Sequence, residues 1–139
     1  MKKRELVSKI MSTNLITINH ANTLVEAEQL FKKYKIRHIP VVSNKKIVGI
    51  LSLTDLLRIS FVDTYGEDDS DVDTAIYNML SIEQVMVNNP VHVSSNKTIK
   101  EVAEILAKQE FHALPVVDDG DLVGIVTTTD LLNYLLDQY

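Results

Sequence analysis

The chain repeats itself. Residues 11–57 align without a gap on residues 86–132, a constant offset of 86 − 11 = 75. Arg37-His38-Ile39-Pro40-Val41-Val42 lies over His112-Ala113-Leu114-Pro115-Val116-Val117. A second dense match sets Val48-Gly49-Ile50-Leu51-Ser52-Leu53-Thr54-Asp55 over Val123-Gly124-Ile125-Val126-Thr127-Thr128-Thr129-Asp130. Two copies of one unit can bury the same hydrophobic face, and the seam between copies then carries paired, related clefts. Function is to be sought at that seam.

Each unit reads as β-α-β-β-α. It opens with a helical turn around Ile10-Met11 or Val85-Met86, followed by a brief β-rich run, Ile16-Thr17-Ile18 or Val91-His92-Val93. Thr23 with Glu26, and Thr98 with Glu101, are Thr-x-x-Glu capping boxes that mark a helix start. The apolar positions Leu24, Ala27, Leu30 and Phe31, matched by Ile99, Val102, Ile105 and Leu106, fall on one helical face and are assigned to the core. Two short buried strands follow, Ile39–Val42 with Ile47–Leu51 and their copies, joined by the polar turns Ser43–Lys46 and Asp118–Asp121. A second helix is expected to start near Thr54 or Thr129. Between the units, Glu67-Asp68-Asp69-Ser70-Asp71-Val72-Asp73 reads as an acidic loop, and Thr74–Leu80 as one or two helical turns. The loop lacks the central glycine and closing glutamate of an EF-hand, which favours a solvated linker over a calcium site.

Composition narrows the function classes. With 139 residues, 45% hydrophobic and 24% charged, the chain suffices for one domain or two small units sharing a core. A net charge of −5 without a dense basic stripe argues against a nucleic-acid binder. The absence of cysteine excludes disulfides, thiolate metal sites and cysteine nucleophiles. Met1-Lys2-Lys3-Arg4 is not followed by the apolar run of a signal peptide and no segment has the length of a membrane span, so a soluble, cytoplasmic protein is expected. The four histidines show no metal-ligand spacing. No Ser-His-Asp order, Gly-rich phosphate loop or His-Glu-x-x-His occurs, so neither an enzyme nor a metal protein is expected. The five tyrosines show no regular stacking pattern and read as core or surface fillers.

The most informative chemistry lies where a buried strand runs into hydroxyl residues and an aspartate, in Gly49–Asp55 and again in Gly124–Asp130. A helix N-terminus offers free N–H groups to an anion, and Ser or Thr hydroxyls add donors to a phosphate. A carboxylate, an acceptor only, can take both hydrogen bonds of a vicinal diol such as that of ribose. Phosphate donors beside a diol acceptor fit a nucleotide. The other open reading is structural, with Thr54 and Thr129 as N-caps and Asp55 and Asp130 favouring the first helical turn.

These residues, with the two Pro-Val-Val segments, resemble the cystathionine-β-synthase (CBS) domain from about Ile10 to Leu132. The resemblance implies two CBS repeats, 7–62 and 82–139, joined by an acidic linker with a short helix over 63–81 and packed with pseudo-twofold symmetry as a stand-alone Bateman module. It implies a regulatory ligand, an adenosine compound such as AMP, ADP, ATP or S-adenosylmethionine, and no resident cofactor. The Thr-Asp pair of one repeat is expected to face the first strand and pre-proline segment of the other. One cleft then uses Ser52, Thr54 and Asp55 with His92, Phe111, His112 and Ala113; the other uses Thr127, Thr129 and Asp130 with Thr17, Ile36, Arg37 and His38. Arg37 in one copy and His112 in the other occupy the basic position before the proline, and arginine keeps its charge where histidine titrates, so the clefts are not equivalent. A homodimer and an unknown regulated protein are the expected partners, with neither nucleic acid nor membrane. The rival expectation is a structural or dimerisation CBS module without a physiological nucleotide.

Overall fold

The computed structural model describes residues 4–59 and 70–139, the side chains of 70–74 excepted. The chain forms two compact units, one of Met1–Leu15, Lys45–Ile47 and Pro90–Tyr139, the other of Ile16–Asn44 and Val48–Asn89. Each is a mixed α/β assembly built by one recipe.

In the second of these units, helix α1 (Leu24–Tyr34) starts at the Thr23 capping box: Thr23 Oγ1 accepts from Glu26 N at 3.1 Å, and Glu26 Oε1 accepts from Thr23 N at 2.9 Å. Two orphan N–H groups are thereby satisfied. The helix buries Leu24, Ala27 and Phe31 against β1 (His38–Ser43), β2 (Lys46–Ser52) and α2 (Leu53–Arg58), in a core with Ile18, Ile39, Val41, Leu51 and Leu56. Helix α3 (Ser70–Met79) and the short α4 (Ile82–Val85) add Tyr77, Ile82 and Met86 to that core. A strand of two residues, β3 (Val87–Asn88), pairs antiparallel with β2 through Ile50↔Val87 and Gly49↔Asn88.

The other unit repeats these parts. Its 3-10 turn, Val7–Lys9, is the repeat equivalent of α4 (Ile82–Val85). Helix α5 (Ile99–Lys108) has the Thr98 capping box and buries Ile99, Val102 and Leu106. Strands β4 (Ala113–Asp118) and β5 (Asp121–Thr127) form a hairpin, and α6 (Thr128–Leu136) closes the unit. Its core holds Val7, Val93, Val102, Leu106, Leu114, Val116 and Val126. The hairpin turn has φ of 52° at Asp119 and 83° at Gly120, the left-handed pair a two-residue loop needs. Beside it the Lys46 ammonium lies 2.7 Å from Asp121 and holds that carboxyl below its usual range.

Several expectations change. The first strands, Ile16–Ile18 and Val91–Val93, shrink to single parallel bridges, Ile18↔Val41 and Val93↔Val116. Each is held by two backbone bonds, for instance Val117 N to Val93 O at 2.7 Å, and a turn at Asn19-His20 in one copy and Pro90 in the other leaves no room for a longer ladder. Helix α3 (Ser70–Met79) covers part of the run read as an acidic loop; Glu67-Asp68-Asp69 lies outside the described residues. Tyr77 and Tyr134 are buried, and their hydroxyls bond to Glu28 (2.9 Å) and Glu5; Tyr34 and Tyr139 are exposed, and Tyr65 lies outside the described residues.

The opening segments also pack in a way that the linear repeat does not suggest. Met86 and Val87 lie on Gly49 and Ile50, whereas Met11 and Ser12 lie on Gly124 and Ile125. A Cβ at Gly49 would collide with the Met86 thioether, with Cε at 2.9 Å; one at Gly124 would meet Met11 Sδ at 2.6 Å and the backbone oxygen of Ser12 at 3.1 Å. Glycine is needed at both places for this approach. Gly49→Ala is expected to cost about 1–3 kcal/mol by overpacking, measured by urea denaturation. Adding Met86→Ala should make the pair cost less than the sum of the single variants; strict additivity would show that the contact is not the cause.

The pH dependence of folding has a local source in the second repeat. Ser95 Oγ donates to Asp118 at 2.5 Å and Ser95 N donates at 2.9 Å, which together hold the Asp118 carboxyl below the usual carboxylate range. A carboxyl lowered on folding adds stability above its unfolded value and loses it as pH falls through the lowered value. Ser95→Ala should therefore flatten the acid limb of the stability-against-pH curve, and an unchanged limb would count against the assignment.

Candidate functional site

The four-residue stretches from strand end to helix third position build the sites expected to carry chemistry. At the end of β2, Ser52 is the N-cap of α2, and its Oγ accepts from Asp55 N at 3.0 Å. At the end of β5, Thr127 is the N-cap of α6: its Oγ1 accepts from Asp130 N at 3.2 Å, and Asp130 Oδ2 accepts from Thr127 N at 2.9 Å. The caps are thus Ser52 and Thr127, in place of Thr54 and Thr129. Thr54 and Thr129 are exposed at the second helical position, free of the extended backbone conformation that a cap requires.

The two aspartates are held differently. Asp130 closes a reciprocal capping box, whereas Asp55 Oδ1 accepts from the exposed Arg58 guanidinium at 3.2 Å. Each keeps its other carboxylate oxygen outside these contacts, and both residues are half-buried. An aspartate fixed by a backbone N–H presents its remaining lone pairs in a defined direction. One tied to a long, solvent-exposed arginine is less constrained.

Strand pairing brings the pre-proline segment of each repeat to its own helix start. Leu53 N donates to Arg37 O at 2.8 Å, and Thr128 N donates to His112 O at 2.9 Å. At each helix start the first and third N–H groups are therefore occupied, which leaves those of Thr54 and Thr129 for solvent or a ligand, each beside its own hydroxyl. One unit contains Thr17, Ile36, Arg37, His38, Ser52, Thr54 and Asp55; the other contains His92, Phe111, His112, Ala113, Thr127, Thr129 and Asp130. Thr17, Arg37, His92 and His112 are exposed, Ile36, His38 and Phe111 half-buried, and Ala113 buried, paired with Thr127 across the hairpin.

Sequence reasoning missed one feature of the first repeat. A cavity of about 360 Å³ lies between α1 and α2, floored by Phe31, Leu53 and Leu56 and rimmed by Lys32, Lys35 and Arg37. Its signal was present in the basic run Lys32-Lys33-Tyr34-Lys35-Ile36-Arg37, at the end of a helix whose C-cap, Lys35, has φ of 54°.

Two copies of one α/β unit, each closing on a capped helix with aspartate at its third position, define a tandem-repeat protein. The CBS domain model matches residues 7–61 and 82–137, and the chain belongs to the CBS domain family. It is 30% identical over 133 residues to a CBS domain-containing protein of Dictyostelium discoideum, covering 94% of this chain and 91% of that one. Other curated relatives are longer: the chain spans 44% of an uncharacterised protein of Methanocaldococcus jannaschii and 22% of the inosine-5'-monophosphate dehydrogenase of Korarchaeum cryptofilum, each 28% identical. Among solved structures it is similar to CBSX2 in complex with AMP, with a TM-score of 0.78, 25% identity, and 96% and 98% of the two chains covered. It is also similar to the CBS domain pair of protein MJ0100 in complex with 5'-methylthioadenosine and S-adenosyl-L-methionine, with a TM-score of 0.76, 27% identity, and coverage of 94% and 98%. Among the described residues no helix is long and apolar enough to cross a membrane.

The cap geometry separates the hydroxyls by role. Thr127→Ala is expected to cost about 1 kcal/mol of stability, because the Asp130 N–H loses its acceptor, whereas Thr129→Ala should stay within about 0.5 kcal/mol. Urea denaturation of both variants checks this; equal losses would remove Thr127 from the cap role.

Proposed function

We propose that this chain is a regulatory module that binds an adenosine-containing nucleotide and signals its occupancy to another protein. The observation that carries the reading is the twofold occurrence of a capped helix start with a half-buried aspartate at its third position beside a free N–H and a hydroxyl. Support comes from similarity to CBS pairs described in complex with AMP and with S-adenosyl-L-methionine. The aspartate accepts the ribose diol, the Thr54 or Thr129 hydroxyl and N–H donate to phosphate, and Arg37 supplies a permanent cation. As the family resemblance implies, Asp130 with Thr127 and Thr129 acts together with Thr17, Ile36, Arg37 and His38; Asp55 with Ser52 and Thr54 acts together with His92, Phe111, His112 and Ala113. The protein acts as a homodimer, and its output passes through a difference in ligand affinity between two states.

The two aspartates should contribute unequally. Asp130 is oriented by its capping box and its set includes Arg37, so the stronger binding event belongs to Asp130. Asp130→Asn keeps an acceptor for Thr127 N while removing the charge, and calorimetry against AMP should register a loss of about 1.5–3 kcal/mol, roughly tenfold to a hundredfold. Asp55→Asn should weaken the second event and leave the first. A thermal-shift screen should show stabilisation by at least one of AMP, ADP, ATP and S-adenosylmethionine. No response to any of them would favour a structural CBS module without a nucleotide.

A further inference from the structure

The cavity between α1 and α2 belongs to a single compact unit, and neither Thr54 nor Asp55 lines it. Its volume of about 360 Å³ suits a small molecule. Apolar carbon makes the floor: Phe31 is 3% exposed, Leu56 is fully buried and Leu53 half-buried, while Leu57, 48% exposed, stands beside them on α2. An apolar floor open to solvent gains from any apolar body that displaces its water.

The charges at its mouth are unbalanced. Glu28, the carboxylate in the lining, is already engaged: Oε1 lies 3.4 Å from the Lys32 ammonium, and Oε2 accepts from the Tyr77 hydroxyl at 2.9 Å. Lys33 lies over the Tyr34 ring at 5.2 Å, and Arg58 pairs with Asp55. Among the described residues, no carboxylate is within ion-pair distance of Lys35 or Arg37, the two cations that remain at the rim. A helix C-terminus favours cations, which accounts for Lys32 and Lys33 in the last turn of α1. It does not account for Arg37, two residues past the C-cap, above an apolar floor. Lys35 itself sits at φ 54°; Asn44, Asn89 and Asp119, which share that left-handed conformation, are of the types that tolerate it. Lysine is therefore a strained choice for the backbone at residue 35, and what it adds there is a charge.

We propose that the α1–α2 cavity is a further small-molecule site, which takes an amphiphilic carboxylate: the head lies between Lys35 and Arg37, and an alkyl chain of medium length covers Phe31, Leu53 and Leu56. Such a ligand matches both halves of the cavity, with apolar burial supplying affinity and the paired cations selecting the sign of the head. The inference does not rest on nucleotide binding. It assigns one site per chain, because the offset of 75 replaces Phe31, Lys32, Lys35 and Leu53 by Leu106, Ala107, Glu110 and Thr128, which exchange a rim lysine for a carboxylate and part of the floor for a hydroxyl. Arg37 is also named in the nucleotide set, so Lys35 and Leu57 carry the test.

Calorimetry of the full chain with decanoate, below the concentrations at which it forms micelles, should show one molecule bound per chain. Butyrate keeps the head and loses most of the chain; decyltrimethylammonium keeps the chain and reverses the charge. Each should bind at least about tenfold more weakly than decanoate, since a buried methylene is worth about fourfold. Lys35→Asn, whose residue type accepts the left-handed backbone, should weaken decanoate about three- to tenfold, and Lys35→Glu should weaken it further. Leu57→Gln, which leaves the rim charges in place, provides a second measurement if a Lys35 variant fails to fold, and it should weaken decanoate at least about threefold. Absence of decanoate binding refutes the proposal, as does equal binding of decyltrimethylammonium, or binding that none of these variants alters. Sedimentation with phosphatidylglycerol vesicles, without binding of free decanoate, would assign the basic rim to a lipid surface and overturn the small-molecule site. Thermal shifts with AMP are read on the same proteins: stabilisation by AMP without decanoate binding sinks this inference and leaves the nucleotide reading standing, and the reverse result does the opposite.

Discussion

The close approach of a methionine to a strand glycine, made once in each compact unit, is the constraint on which the rest of the structure depends. Gly49 and Gly124 are the points at which β2 and β5 accept the segments carrying Met86 and Met11, and a side chain at either glycine would push those segments away. The contact fixes the middle of the strand. Three residues further along, the strand ends at Ser52 or Thr127 and turns into the helix that carries Asp55 or Asp130. Placement of the Asp55 and Asp130 carboxylates therefore follows from a packing contact made three residues before each strand ends. It also explains why Met11 and Met86, which have no chemistry of their own to offer, recur at the same offset as the glycines.

At the helix starts, structural and functional readings concern the same atoms. A capping carboxylate uses one lone pair on a backbone N–H and retains others, so a cap and a diol acceptor are compatible roles for a single aspartate. In the proposed reading the cost of the double role falls on stability: a substitution that removes the acceptor would weaken both ligand binding and helix, whereas one that removes only charge would weaken chiefly the binding. The repeats diverge in how they handle this. Asp130 is locked by Thr127 N, whereas Asp55 answers to Arg58 on its own short helix, which has only six residues. A duplicated site thereby acquires two different degrees of preorganisation, and preorganisation is what separates affinities when the contacts are otherwise alike.

Much of this was legible in the sequence because the signals are local. The boxes at Thr23 and Thr98, the core stripe from Leu24 to Phe31 and the Pro-Val-Val strands need only short-range spacing to be recognised, and all appear where the pattern puts them. The Thr-Asp segments were found, but the cap was placed two residues late. A Ser or Thr at the strand end competes with the next hydroxyl for the same role, and only backbone conformation decides between them: Thr127 is extended, with φ of −120° and ψ of 165°. The first strands were overread because a β-rich composition does not say how many ladder bonds a neighbour provides. The exchange of opening segments was not legible at all. A linear repeat fixes which residues are equivalent and is silent about which copy each segment packs on, because packing partners distant in sequence leave no periodicity.

The difference between the repeats, more than their likeness, gives the duplicated fold a use. Two identical units would bind one ligand twice and meet other copies with no preferred orientation. Here the positions of Lys32, Lys35 and Arg37 are taken in the second repeat by Ala107, Glu110 and His112, so the duplication has kept the apolar scaffold and let the charges drift apart. In the proposed reading a ligand anion then meets one set of residues with a permanent cation, Arg37, and one with His112 in its place. Arg37 stands in both settings, at the rim of the α1–α2 cavity and beside its own helix start through its carbonyl. In the proposed reading, a phosphate held by Arg37 is coupled to whatever else the rim of that cavity touches, and by linkage the dependence is equal in both directions. That reciprocity is the physical route by which the proposed ligand would reach a neighbouring protein.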